Sequence, residues 1–166
     1  MHLAAAGGAE GTVVNIEYRR ATPDQIDRLV EIRIEVLRAA NRLEDSADLS
    51  EVERQSRDYY TKALSDGGHT GFLAFDGERI VGAGGVSFYR VMPTVHNPTG
   101  RKAYIMNMYV RPEYRRRGIA TQILDLLVND ARQSGISCIT LEATDMGRPL
   151  YEKYGFSPME HEMELP

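Results

Sequence analysis

A single cysteine, Cys138, stands in 166 residues, so no internal disulfide can form and nothing in cysteine usage asks for an oxidising compartment. Cys138 lies in an apolar run and reads as a buried strand residue. Long hydrophobic runs are missing too: no stretch approaches the roughly 18 apolar residues of a membrane-spanning helix. The opening MHLAAAGGAEGT has no basic n-region and is interrupted by Glu10, so residues 1–12 are expected to be a flexible tail rather than a signal peptide. Basic residues are in deficit, with a net charge of −4, which argues against general affinity for nucleic acid. Four scattered histidines and one cysteine form no ligand spacing, so no metal is expected. There is no GxxxxGK[ST] loop. Gly82, Gly84 and Gly85 miss GxGxxG because Ser87 holds its last position, and they fall mid-strand. Neither internal repeats nor a domain linker is visible. These absences leave a soluble, cytoplasmic protein without a membrane partner, folded as one domain over residues 13–166.

What is present is ordinary globular composition, 42% hydrophobic and 27% charged. VVNIEY (residues 13–18) has strand composition. Thr22, Pro23 and Gln25 then supply an N-cap, a first-turn proline and a capping-box partner for a helix running to about Ala40. On it Ile26, Leu29, Val30, Val36 and Leu37 share an arc that also holds Arg33, while Asp27, Arg28, Glu31 and Glu35 occupy the other face. Arg33 either lays its stem across apolar surface or points its guanidinium into a cleft. A second helix spans roughly Leu49 to Leu64. A hairpin turns at Asp76-Gly77, its mid-strand glycines marking a bulge or a close backbone approach. Ala103 to Val110 is a strong strand, and a helix follows to Ser134. Cys138 to Ala143 is a strand, Arg148 to Tyr154 a short helix, and Met159 to Leu165 a last strand. That order predicts a mixed α/β (α+β) fold, with helices on both faces of a mostly antiparallel sheet.

The stretch RPEYRRRGIA, Arg111 to Ala120, concentrates four arginines against the acidic background. It sits between a strand end and a helix start, where unpaired N–H groups and about half a positive charge gather. Such a turn is an anion site. Gly118 lets a ligand approach the main chain, Ala120 keeps the next turn slim, and Arg115, Arg116 and Arg117 add charge-assisted donors.

Arg115-Arg-Arg-Gly118-Ile-Ala120 resembles the pyrophosphate-binding signature of the GNAT superfamily of acyl-CoA-dependent N-acyltransferases. Met108 to Tyr114 is similar to that family's strand and turn leading into the loop, and Leu150-Tyr151-Glu-Lys-Tyr-Gly155-Phe156 to its downstream motif. The resemblance covers nearly the whole chain from Val13. It implies a GNAT-like fold, acetyl-CoA or coenzyme A as cosubstrate, and acetyl transfer to a primary amine on a small molecule, protein or peptide, with a homodimer allowed. Main-chain groups of Met108 and Val110 would bond the pantetheine arm. Amides from Arg115 through Ile119 and Ala120 to Thr121 would hold the pyrophosphate. Tyr151 would be the general acid facing the leaving sulfur. Thr144 stands where the family often has asparagine, and has less reach toward pantetheine. A sensor that binds acyl-CoA without turnover is the alternative, and Tyr151 speaks against it.

Acyl transfer needs a neutral amine, and a lysine-like amine is neutral about once in 2,500 molecules at pH 7, a cost of about 4.6 kcal/mol. Full proton transfer from a tyrosine of pKa about 10 to a thiolate of about 8.5 is uphill by about 2 kcal/mol, so Tyr151 acts largely by hydrogen bonding. Glu142 alternates away from Ile139, Leu141 and Ala143, and either faces the cleft as a base or pairs with an arginine. His96 and His161 read as surface histidines. Asn107 stands beside the expected acyl group and can orient a carbonyl or water. The acids Glu44, Asp45, Asp48 and Glu51 fit either a cationic acceptor or a solvated helix face.

Overall fold

The computed structural model describes residues 14–166; the expected tail over 1–12, and Val13, lie outside the described residues. Five strands form one sheet in the order β1-β2-β3-β4-β5. They are β1 (Ile16–Arg20), β2 (His69–Asp76), β3 (Arg79–Arg90), β4 (Arg101–Val110) and β5 (Cys138–Leu141). The first four pair antiparallel, and β5 joins β4 in parallel. Helices α1 (Ile26–Asn41) and α2 (Ser50–Asp66) cover one face, α3 (Ile119–Gln133) and α4 (Arg148–Tyr154) the other. The fold class expected from the sequence is the one observed.

Local chemistry explains most boundaries. The Gln25 side chain accepts the Thr22 N–H at 3.0 Å, completing a capping box on a short 3-10 turn that leads into α1. Leu29, Val30, Ile32 and Val36 of α1 pack with Tyr60 of α2 against Leu73, Phe75 and Ala83 of the sheet. On the other face Ile119, Ile123, Leu124, Leu127 and Val128 of α3 pack on Phe72, Ala74, Val86, Ala103 and Ile105. The close approach read into the mid-strand glycines is present. A Cβ on Gly84 would come 2.6 Å from Ile123 Cγ2 and from Met108 Sδ, and one on Gly82 would come 3.0 Å from Ile119 Cγ2. The register shift of the β2/β3 hairpin falls between Ala74 and Phe75, and that of β3/β4 between Ala83 and Gly85.

Several expectations need correcting. No strand forms over Met159–Leu165, where Met163 and Leu165 are 97% and 96% exposed. The segment alternates as a strand would, but three glutamates lower its strand propensity, and β5, the edge it would join, is only four residues long. That strand ends at Leu141, leaving Glu142 and Ala143 beyond it. Cys138 is in the strand but only half-buried. Glu35 does not sit on a free polar face: it accepts Tyr109 Oη at 2.9 Å and pairs with Arg111 at 3.1 Å, pinning α1 to β4. Among the described residues no helix is long and apolar enough to cross a membrane.

Candidate active site

Strand β4 outruns its neighbour. The β4/β5 ladder pairs Lys102 with Cys138 through Ile105 with Leu141 and ends there, while β4 continues to Val110. Asn107 takes φ +60° at this point, a bulge after which β4 rejoins β3 at Tyr109 and Val110. From Met106 onward the outer edge of β4 therefore presents main-chain groups with no strand beside them. An extended chain of amides can pair with such an edge. Met108 turns its side chain inward against Gly84, leaving its main chain at that edge. At Val110 the carbonyl already accepts Arg115 Nε at 3.1 Å. The same guanidinium reaches Met146 Sδ at 3.8 Å, closing one end of the slot.

The slot runs into the N-terminus of α3. Pro112–Tyr114 forms a 3-10 turn, Arg116 sits at φ +60° and Gly118 caps the helix at φ +79°. The first helical bond runs from Gln122 N to Gly118 O, so the N–H groups of Ile119, Ala120 and Thr121 have no helical partner. Nothing lies within 4 Å of a Cβ placed on Gly118; that position is a left-handed turn open on its outer side. Ile119 is buried and contributes its main chain only. Arg117 bends back, donating to Glu113 O at 3.0 Å and lying 5.2 Å over the Tyr114 ring. Arg115, Arg116 and Arg117 hold no carboxylate among the described residues, so their charge adds to that of the helix end. Main-chain donors at a positive terminus, with open space before them, fit a diphosphate group.

Opposite β4 stand residues 142–147 and α4. Thr144 is occupied as a cap: its hydroxyl accepts Gly147 N at 3.2 Å and its carbonyl accepts Arg148 N at 2.9 Å. Tyr151, 8% exposed, packs in the cluster that holds Val110 and Ile119, edge-on to Phe156 at 6.1 Å. Gly147 makes room for it, since a Cβ there would come 3.0 Å from Tyr151 Cε2. Burial alone pushes the Tyr151 hydroxyl's pKa up, and no hydrogen bond claims it among the described residues. Tyr154 Oη donates to Asp125 at 2.9 Å, fixing α4 on α3.

Two cavities stand near the site, one at the bulge on the α1/α2 face and one between β4, β5, α4 and the C-terminal segment. One, of about 330 Å³, lies between α1, α2 and the sheet and is lined by Arg33, Val52, Tyr59, Tyr60, Met106 and Asn107. Arg33 Nη1 donates to Asn107 Oδ1 at 3.3 Å, so the guanidinium points into a cleft. The other, about 710 Å³, brings Glu142 together with Tyr104 and Tyr151. The pKa of Tyr104 is pushed up to about 12, by burial first and then by the nearby Glu142 carboxylate. The acids Glu44, Asp45 and Glu51 are exposed, Glu51 pairing with Arg54 at 2.7 Å, while Asp48 accepts Ser50 N at 2.9 Å. His96 and His161 are exposed.

Sequence reasoning missed His69, Tyr59, Tyr104 and Ser87. His69 is buried at the start of β2, with Tyr59 Oη 2.9 Å from its Nδ1, and a Cβ on Gly85 would strike its ring at 2.7 Å. The pairing of an inward histidine with an opposed glycine was the available signal, but it requires the β2/β3 register, which is not legible in one chain. Among the described residues no group of three or more His, Cys, Asp or Glu is placed to hold a metal ion.

Residues 34–156 match the family model for the acetyltransferase (GNAT) family. A thialysine N-epsilon-acetyltransferase of Caenorhabditis elegans is 30% identical over 122 residues, covering 74% of this chain and 69% of the relative. A predicted acetyltransferase of Clostridium acetobutylicum, solved with acetyl-CoA, superposes with a TM-score of 0.84 at 36% identity, covering 92% of this chain and 96% of that one. A GCN5-related N-acetyltransferase of Ralstonia eutropha JMP134 gives a TM-score of 0.81 at 29% identity, covering 92% and 98%.

Proposed function

The chain belongs to the GNAT family of acetyltransferases, and on that premise we propose that it moves the acetyl group of acetyl-CoA directly to the primary amine of a small acceptor. One observation carries this reading: the unpaired outer edge of β4 runs into the glycine-opened N-terminus of α3, with Tyr151 on the opposite wall. Residues 14–166 act as one N-acetyltransferase domain. Amides from Arg115 to Thr121 hold the pyrophosphate, with Arg115 and Arg116 adding charge. Main-chain groups of Met108 bond the pantetheine arm, and Val110 contributes less because Arg115 occupies its carbonyl. Thr144 shapes the wall through its cap on α4 rather than by reaching the ligand.

Tyr151 donates a hydrogen bond to the thiolate as it leaves. Its raised pKa keeps it protonated at neutral pH and widens the uphill gap for full transfer. Glu142, just past β5 and beside Tyr104, accepts the amine proton, and Asn107 orients the acceptor at the bulge. A small acceptor is supported by the 330 Å³ cavity, at the small end of ligand pockets, and by the amine named for the nematode relative. Tyr151→Phe removes only the hydroxyl. Stabilisation by acetyl-CoA should survive in a melting experiment, while kcat for amine-dependent thiol release should fall about 10²-fold. Equal kcat in parent and variant, with chemistry rate-limiting, would remove Tyr151 from the reaction.

A further inference from the structure

Apart from Arg33, every arginine of α1 and α2 is engaged by an acid or by main-chain carbonyls, Arg38 donating to those of Glu44 and Ala47. On the same two helices Arg28 pairs with Glu31, Arg54 with Glu51 and Arg57 with Asp27. Arg33 has no carboxylate among the described residues; its hydrogen bond goes to the neutral Asn107 amide. It is half-buried, inside the smaller cavity, whose other walls are Val52, Tyr59, Tyr60 and Met106. Among the described residues the acid at that cavity is Glu51, exposed and already engaged by Arg54 and Gln55. His69 lies in the same wall and its pKa is drawn down to about 4 by burial, so it brings no positive charge at neutral pH. The cavity therefore offers apolar and aromatic surface, hydroxyls from Tyr59 and Ser87, and one uncompensated guanidinium.

A guanidinium in such a place is matched by a planar monoanion, which it can grip with two donors. A polycationic acceptor would meet repulsion from Arg33 and find no free acid in the cavity. Resting on the acetyltransferase reading, we propose that the acceptor is an amino acid: an amine whose own molecule carries a carboxylate, received by Arg33, and an apolar body that fills the space between Val52, Tyr59, Tyr60 and Met106. Asn107 holds the guanidinium toward the bulge, and so couples recognition of the carboxylate to the β4 edge where transfer occurs. Arg33 is thereby a specificity residue that touches the acceptor.

The test compares matched amines that differ only in the carboxylate: L-phenylalanine with phenethylamine, L-lysine with cadaverine, and thialysine with its decarboxylated form, spermidine being added as a polycation. In the parent protein kcat/KM should favour the carboxylate-bearing member of at least one pair by about tenfold or more, and spermidine should be a poor acceptor. In Arg33→Gln that ratio should collapse toward one, while Arg33→Lys should retain part of it. Acetyl-CoA should stabilise all three proteins equally, which separates loss of recognition from loss of fold. Transfer to amines with a ratio near one in the parent, or a ratio unchanged in Arg33→Gln, overturns this inference and leaves the acetyltransferase reading intact. No transfer to any of the amines by a protein that binds acetyl-CoA overturns the reading and this inference together.

Discussion

At His69 the imidazole is buried over Gly85 with the Tyr59 hydroxyl 2.9 Å from Nδ1, and burial draws its pKa from 6.5 to about 4. The unfolded chain therefore takes up a proton near pH 6.5 that the folded protein refuses until about pH 4. The stability at stake is complete above the unfolded value and lost as pH falls between the two, by about 3 kcal/mol. Urea unfolding of the parent should show that loss, and His69→Gln should lose less over the same window. An identical pH slope in both proteins would mean that the histidine is not held neutral by its surroundings. The sequence located the arginine run but not its division of labour: Arg115 spans the slot, Arg117 folds back on Tyr114, and Arg116 is left exposed with a left-handed backbone. Those directions depend on φ angles and partners that residue types alone do not determine.

On the proposed reading, helix α3 is the element on which cosubstrate binding turns. Its buried stripe was legible as Ile119, Ile123, Leu127 and Ala131, and its distance from the sheet is set by glycines in β3 that admit Ile119 and Ile123. Gly118 at its cap faces open space, so a side chain there meets no protein atom, and aspartate tolerates a positive φ better than most residues. Gly118→Asp should fold with a melting temperature within a few degrees of the parent. It should lose the stabilisation given by acetyl-CoA, because the added carboxylate opposes the pyrophosphate at the same amides. A full ligand-induced shift in the variant would displace the anion site from this helix end. Elements read from local signals, the capping box before α1 and the strand Ala103–Val110 among them, formed where expected. The segment Met159–Leu165 did not, since alternation specifies a strand only when an edge is there to receive it.

Across the whole molecule, the proposed donor side was readable because its signals are contiguous: strand, arginines, glycine and helix follow one another within residues 101–133. The proposed acceptor side was not, because Arg33, Tyr59, His69, Ser87 and Asn107 come from four elements and a bulge, and meet only when α1 and α2 pack on the sheet. On the proposed reading those two sides meet at β4, and the acetyl group crosses in one step without resting on the protein. Rapid mixing of the enzyme, in substrate-level amounts, with acetyl-CoA tests this most directly, following thiol release first without and then with an acceptor amine. Direct transfer gives no release equivalent to enzyme before the amine arrives, and afterwards one acetylated amine per thiol at a rate set by the amine. A burst of thiol equal to the enzyme in the absence of amine, or thiol release with no acetylated amine formed, would contradict it.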